Sequence, residues 1–93
     1  GRALEVLDLR EGRLVRHIAF NAPASDTVVT PDGKQAVVAL PGSTDGAVAL
    51  VDLETFQVEL VPLTEPPSKV RVSPMGDAVL ALSSRSKVAW VIR

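Results

Sequence analysis

Residues 3–40 read ALEVLDLREGRLVRHIAFNAPASDTVVTPDGKQAVVAL, and the same order of residue types returns in residues 47–82 as AVALVDLETFQVELVPLTEPPSKVRVSPMGDAVLAL. The matching features are VLDL at 6–9 and LVDL at 50–53, a proline at 23 and 67, and TPDGK at 30–34 and SPMGD at 73–77. A third copy begins with VAWVI at 88–92, which aligns with VALVD at 48–52. The spacing is 44 residues between Asp8 and Asp52 and 40 residues between Val48 and Val88. Repeats of this length predict an architecture in which each unit packs on its neighbours.

The composition excludes several kinds of protein. The chain has 93 residues, no cysteine and one histidine, so neither a disulfide nor a structural zinc site is expected. Ten basic and eleven acidic residues give a net charge of -1, which offers no electrostatic attraction for nucleic acid. No apolar run approaches the roughly 20 residues that span a bilayer, and no signal peptide opens the sequence. Hydrophobic contacts therefore have to supply the stability.

The apolar pattern predicts an all-β chain without helices. Valine and leucine dominate the 46% of hydrophobic residues, and they form short runs, as in strands that are buried on both faces. Gaps of three to six residues, rich in Gly, Pro, Asp, Ser and Asn, predict consecutive antiparallel hairpins. The expected strands cover 3–9, 13–20, 26–30, 34–40, 47–53, 57–63, 69–73, 77–83 and 87–92.

Two hairpin turns can be predicted from their residue types. In TPDG and SPMG, proline presets the backbone angle of the first turn position, and Gly33 and Gly76 accept the positive φ that closes the hairpin. Asp8 and Asp52 each end a strand before a short polar turn, where a carboxylate accepts hydrogen bonds from turn amides. We interpret these aspartates as structural, because neither has a second acid or base beside it in the sequence.

The order of these elements resembles the YVTN-type β-propeller repeat. The resemblance rests on Val6-Leu7-Asp8, Pro23, Thr30-Pro31-Asp32-Gly33 and Val37-Val38-Ala39 in the first copy. In the second copy it rests on Leu50-Val51-Asp52, Glu54-Thr55, Pro67, Val72-Ser73-Pro74 and Gly76. Met75 stands where the first copy has Asp32, and Ile92 stands where the third copy is expected to have its aspartate.

The resemblance implies blades of four-stranded antiparallel sheets in an incomplete ring. Residues 1–93 then form a single propeller segment, with repeat 1 at about 3–46, repeat 2 at about 47–87 and the start of repeat 3 at 88–93. The innermost strand of a blade is the one before the TPDG-type turn, so strands 1 and 2 belong to one blade, strands 3–6 to a second and strands 7–9 to a third. Because closed propellers have about four to eight blades, we expect this chain to associate with itself or with further blades instead of remaining a monomer.

A propeller usually binds partners through the loops on one face, which are 21–25, 41–46, 64–68 and 83–86 in this chain. The side chains expected on this face are those of Asp26, Ser43, Thr44, Asp45, Lys69, Arg71 and Arg85. They are either solvated loop residues or a docking surface. An ion pair between Asp26 and Lys69 or Arg71, across neighbouring blades, is an alternative role for these three.

The sequence favours a non-enzymatic scaffold that binds a protein partner or further blades, with no cofactor. His17 has no second imidazole or cysteine with which to hold a metal, and we interpret it as an exposed structural residue. No nucleophile elbow, zinc-binding helix or phosphate loop is present. Some proteins similar to this family are lactonases or dehydrogenases, so the alternative is part of a periplasmic or secreted enzyme whose catalytic residues lie in other blades.

Overall fold

The computed structural model describes residues 3–8, 12–20, 22–42, 46–83 and 88–92, and this part of the chain is all β with no helix. The expected fold class is therefore confirmed. Nine strands follow one another, and most are one or two residues shorter than predicted. They are β1 Ala3–Asp8, β2 Arg13–Ala19, β3 Asp26–Val29, β4 Gln35–Leu40, β5 Ala47–Asp52, β6 Val58–Pro62, β7 Lys69–Val72, β8 Val79–Ser83 and β9 Val88–Ile92.

The strands form three antiparallel sheets, and no sheet closes into a barrel. The first sheet has the order β1-β2, the middle sheet β3-β4-β5-β6 and the third sheet β7-β8-β9. This division is the one that the resemblance to the YVTN-type repeat implied. Each sheet is a meander of neighbouring strands, because the connections are short and contain turn-forming residues. The layout is that of partial propeller blades.

The hairpins that join β3 to β4 and β7 to β8 share one geometry. The Gly33 amide donates to the Thr30 carbonyl over 2.9 Å, and the Gly76 amide donates to the Ser73 carbonyl over 2.9 Å. Both glycines have positive φ, 75° and 76°, as the sequence predicted. These are left-handed backbone angles that a residue with a Cβ adopts only at a cost.

The two turns use their acids differently. In the first turn the Thr30 hydroxyl donates to Asp32 over 2.6 Å, whereas in the second the Ser73 hydroxyl donates to Asp77 over 2.7 Å. Met75 occupies the position that Asp32 has in the first turn. Its side chain is 86% exposed and does not take the place of the Asp32 carboxylate as an acceptor. The second turn thus keeps its hydroxyl–carboxylate hydrogen bond although the acid has moved two positions along the chain.

The core lies on both sides of β4, whose residues 36–40 are all buried. Val37 and Ala39 point towards the third sheet and contact Val70 and Ala81 in one cluster. Val38 and Leu40 point the opposite way and pack with Ala49, Phe20 and Ala24 in a second cluster. Because fully burying a valine or leucine is worth about 1.5–3 kcal/mol, the burial of both faces of β4 is a major source of stability.

The register of β9 corrects the alignment of the third copy by one residue. Ala36 pairs with Val51 in the middle sheet, and its counterpart Val79 pairs with Ile92 in the third. Ile92 therefore corresponds to Val51 and does not replace the third aspartate. The physical reason is that one residue of shift turns every side chain of a strand to the other face. The observed register directs Trp90 and Ile92 into the core instead of Val91.

We predict that Gly33→Ala and Gly76→Ala each lower the free energy of unfolding by about 1–2 kcal/mol, because alanine is strained at positive φ. The matched control is Gly42→Ala, since Gly42 has no positive φ and an added Cβ meets only the Ala22 Cβ at 3.5 Å. Chemical denaturation monitored by circular dichroism measures all three. Wild-type stability in both turn variants would contradict the assignment of these turns.

Candidate functional site

The candidate residues that the structure describes lie at the beginning of two edge strands. Asp26 is the first residue of β3, and Lys69 and Arg71 lie in the first three residues of β7. These strands are the inner edges of the middle and third sheets and lie next to each other. Ser43, Thr44, Asp45 and Arg85 lie outside the described residues, so their place on a binding face stays a prediction.

Asp26 joins the two sheets through three donors. Its Oδ2 atom accepts from the Val70 amide over 3.1 Å and from the Arg71 guanidinium over 2.9 Å, while its Oδ1 atom accepts from the Thr27 amide over 3.0 Å. The predicted ion pair across neighbouring blades is thus confirmed for Arg71. Among the described residues, Lys69 forms no ion pair with Asp26 and is exposed.

A serine beside Asp26 makes a second link between the sheets. The Ser25 hydroxyl donates to the Ser68 carbonyl over 2.9 Å, and the Pro67 carbonyl lies 3.4 Å from the same hydroxyl. This contact was not predicted from the sequence. Its only signal in the sequence is that a serine stands directly before an innermost strand in both copies, at 25 and 68.

The contacts of Asp26 favour its charged form. The Val70 amide is the largest influence that lowers the pKa of Asp26 below its ordinary value of 3.8, and the Arg71 and Thr27 donors lower it further, whereas partial burial opposes them. A carboxylate held by two amides and a guanidinium is a poor proton donor at neutral pH. The arrangement therefore works as a clamp between sheets and has no feature of a general acid or base.

A polar cleft of about 280 Å³ lies beside the turns at the opposite end of the strands. It is lined by Thr30, Asp32, Lys34, Gln35, Asp52, Glu54 and Gly76. This cleft was not predictable from the sequence, because its lining comes from three turns that are separate in the chain. No group of three or more acidic or histidine residues within the described ranges is arranged to hold a metal ion.

The aspartates of this cleft are occupied by their own turns. Asp52 accepts from the Glu54 and Thr55 amides over 2.8 and 3.0 Å, as the sequence predicted, and these amides, Thr55 first, lower its pKa. The Thr30 hydroxyl and then the Lys34 amide lower the pKa of Asp32 in the same way. The side chain of Asp8 lies outside the described residues. We interpret the cleft as a consequence of turn capping.

His17 lies on β2 with its side chain 54% exposed, and its Nδ1 atom is 3.7 Å from a carboxylate oxygen of Glu5 on β1. No other histidine exists in the chain, so the structural interpretation of this residue is retained.

Within the described residues, no helix is long and apolar enough to cross a membrane.

We predict that Asp26→Ala lowers the free energy of unfolding at pH 7 by about 1–3 kcal/mol, because the Val70 amide and the Arg71 guanidinium lose their acceptor. Folding lowers the pKa of Asp26, so its stabilising effect is complete above about pH 4 and is lost as the pH falls through the lowered pKa. Denaturation from pH 3 to 7 measures the wild type, the variant and the control Lys69→Ala. A stability difference between the wild type and Asp26→Ala that does not shrink in acid would contradict the clamp.

The fold has a counterpart among solved structures. The chain is similar to hydrazine synthase of Kuenenia stuttgartiensis, with a TM-score of 0.83 and 24% sequence identity, over 99% of this chain and 26% of that chain. No protein-family model matches the sequence, and no curated protein matches it. At this identity the likeness concerns the fold alone, and the chain spans about a quarter of the length of the structure that it matches.

Proposed function

We propose that this chain is a non-enzymatic interaction module, a segment of a YVTN-type propeller whose third sheet takes up another sheet on its outward face. The observation that carries the proposal is an apolar sheet face that no described residue covers. On this face Arg71, Leu80 and Val91 form one cross-strand row, and Lys69, Leu82 and Ala89 form the next. Val91 is 58% exposed.

The middle sheet supports the proposal because its equivalent face is covered. There the corresponding positions are Val37, Ala39, Val48 and Leu50, and the third sheet packs on them through Val70, Val79, Ala81, Trp90 and Ile92. The open face has the same strand order and is likewise aliphatic on its two outer strands, although its inner strand carries Lys69 and Arg71 where the middle sheet has Asp26 and Val28. We therefore expect it to take the same kind of partner. The partner is thus another antiparallel sheet with small and branched aliphatic residues.

The covering sheet comes either from further blades of a larger propeller or from another copy of this chain. Both sources bury the same apolar side chains, and each valine or leucine that becomes fully buried contributes about 1.5–3 kcal/mol. The proposal also includes a periplasmic or secreted location, which rests on the resemblance to the YVTN-type repeat alone.

The clamp geometry favours this role over the enzymatic alternative. Asp26, the most strongly bonded acid near the inner strands, already accepts three hydrogen bonds within the fold. An enzyme built on this segment would need catalytic residues from other blades. A scaffold needs only two features, and the described residues contain both. They are stacked sheets and an uncovered face on the third sheet.

We predict that the wild-type chain associates at micromolar concentration and that Val91→Lys shifts it towards the monomer mass of 9.8 kDa. A lysine on the outer strand of the open face has to be desolvated when another sheet covers it. The control is Val58→Lys, because Val58 is 42% exposed but lies on β6, on the face of the middle sheet that is turned away from the third sheet. Light scattering after size exclusion measures the masses. A folded wild-type chain that stays monomeric throughout this range would overturn the proposal.

A further inference from the structure

The turn between β5 and β6 holds a phenylalanine in a backbone conformation that favours glycine. Phe56 has a φ of 63°, and within the described part of the chain it is the only residue other than glycine with a positive φ. Its amide donates to the Asp52 carbonyl over 2.7 Å, which closes the turn. Gly12 stands as far beyond Asp8 as Phe56 stands beyond Asp52, and it has a φ of 66°. Both turns therefore require a left-handed residue, and only the first uses glycine.

The left-handed angle is unfavourable for phenylalanine. In this conformation the Cβ lies too close to the neighbouring carbonyl oxygen, which lowers the folding equilibrium constant by a factor of about five to thirty. The requirement for a positive φ is enough to explain Gly12, whereas Phe56 meets the same requirement at a cost. A strained residue at a position that suits glycine indicates a role for its side chain.

The ring of Phe56 lies under a guanidinium group of the neighbouring sheet. The Cζ atom of Arg16 is 4.6 Å from the centroid of the Phe56 ring. Arg16 belongs to β2 in the first sheet, and Phe56 lies in the turn between two strands of the middle sheet. A guanidinium at this distance over an aromatic face is attracted by the negative charge of the π system. The contact thus joins two neighbouring sheets.

A second irregularity of the backbone brings Arg16 to this ring. Leu7 of β1 pairs with Leu14, but the preceding residue, Val6, pairs with Arg16, so β2 has one extra residue between the two pairs. The ladder of β5 and β6 has no such shift. Because side chains alternate along a strand, one extra residue reverses the face of every residue that follows. Without this β-bulge, Arg16 would lie on the face of β2 that is turned away from Phe56.

The apolar contacts on this side of the middle sheet do not fix an orientation. Phe20 and Ala24, which follow β2, pack on Val38, Leu40 and Ala49. These contacts tolerate sliding and rotation, because apolar attraction has no direction. They lie near the beginning of β5, where Leu40 pairs, whereas the ring under the guanidinium follows the end of β5. A second attachment at the other end of the strands is what prevents rotation.

We propose that Arg16 and Phe56 form a blade latch, a conformational device that sets the position of the first sheet against the middle sheet. This inference goes beyond the proposed function, because it concerns an interface within one chain. An exposed cation–π pair contributes a factor of about two to five to the folding equilibrium. This factor does not exceed the cost of the left-handed angle. The blade latch therefore orients the sheets without adding to the total stability.

The first experiment separates the cost of the backbone angle from the contact with Arg16. Phe56→Gly is compared in the wild-type chain and in the Arg16→Gln chain by chemical denaturation. We expect Phe56→Gly to favour folding about two- to fivefold more in the Arg16→Gln chain, because only the relief of strain remains there. Phe56→Tyr keeps the aromatic face and is expected to retain the coupling.

The second experiment measures the position of the first sheet directly. The chain has no cysteine, so spin labels can be attached at Leu14→Cys on β2 and Val29→Cys on β3. Both side chains are more than half exposed, at 51% and 55%. We expect one narrow distribution of distances with Phe56 or Phe56→Tyr, and a clearly broader one with Phe56→Gly and with Arg16→Gln. Labelled chain is diluted with unlabelled chain, so that distances between copies do not contribute.

The control for backbone strain is Gly12→Phe, which places phenylalanine at the equivalent left-handed position. An added Cβ at Gly12 meets no atom within 4 Å, so we expect a loss of about fivefold or more in the folding equilibrium constant from the angle alone. Wild-type stability in this variant would contradict the cost on which the proposal rests.

Two further results would overturn the blade latch. One is that Phe56→Gly and Arg16→Gln have additive effects on stability, which would show that the two side chains are not coupled. The other is an unchanged width of the distance distribution in both variants, which would show that the apolar contacts alone place the first sheet. Neither result depends on whether the third sheet takes up a partner.

Discussion

The structure depends on β4 being buried on both faces. A strand in this position has no polar side to offer to solvent, so each face has to be covered. The third sheet lies against one face, and Phe20 and Ala24, from the chain between β2 and β3, pack on the other. Val37 and Ala39 secure one neighbour, and Val38 and Leu40 secure the other. The alternation that places side chains on opposite faces of one strand thus determines how the whole chain stacks.

Hydrophobic stacking alone does not fix how two sheets are aligned, because aliphatic contacts are not directional. Asp26 supplies the directional contacts that fix this alignment. Its two oxygens reach an amide of its own strand and an amide of β7, so the inner strands can hardly slide past each other without losing a charge-assisted hydrogen bond. Ser25 repeats the constraint one residue earlier. The inner strands of the middle and third sheets are therefore held together by directional hydrogen bonds in addition to aliphatic contacts.

Most of the fold was readable from the sequence because its signals are local. The glycines of both turns and the capping role of Asp52 follow from residues within a few positions of each other. The grouping of the strands into three sheets follows from the resemblance to the repeat family. The register of β9 was not readable, since VAWVI is apolar at every position and gives no alternation to choose a face. Of the site, the pairing of Asp26 with Arg71 could be anticipated from charge. The contact with the Val70 amide, which is the stronger influence on the pKa of Asp26, could not be anticipated. Every residue except proline has a main-chain amide, so the sequence does not indicate which amide will donate.

The hairpin turns show how a repeat can keep a structure while its motif changes. One turn bonds its hydroxyl residue to the third residue of TPDGK, and the other bonds it to the fifth residue of SPMGD. What the hairpin requires is a carboxylate within reach of that hydroxyl, and two positions along the loop satisfy this requirement. A pattern that demands aspartate at one of them therefore overlooks copies that are structurally intact, so a repeat family of this kind extends further than a single consensus can recognise.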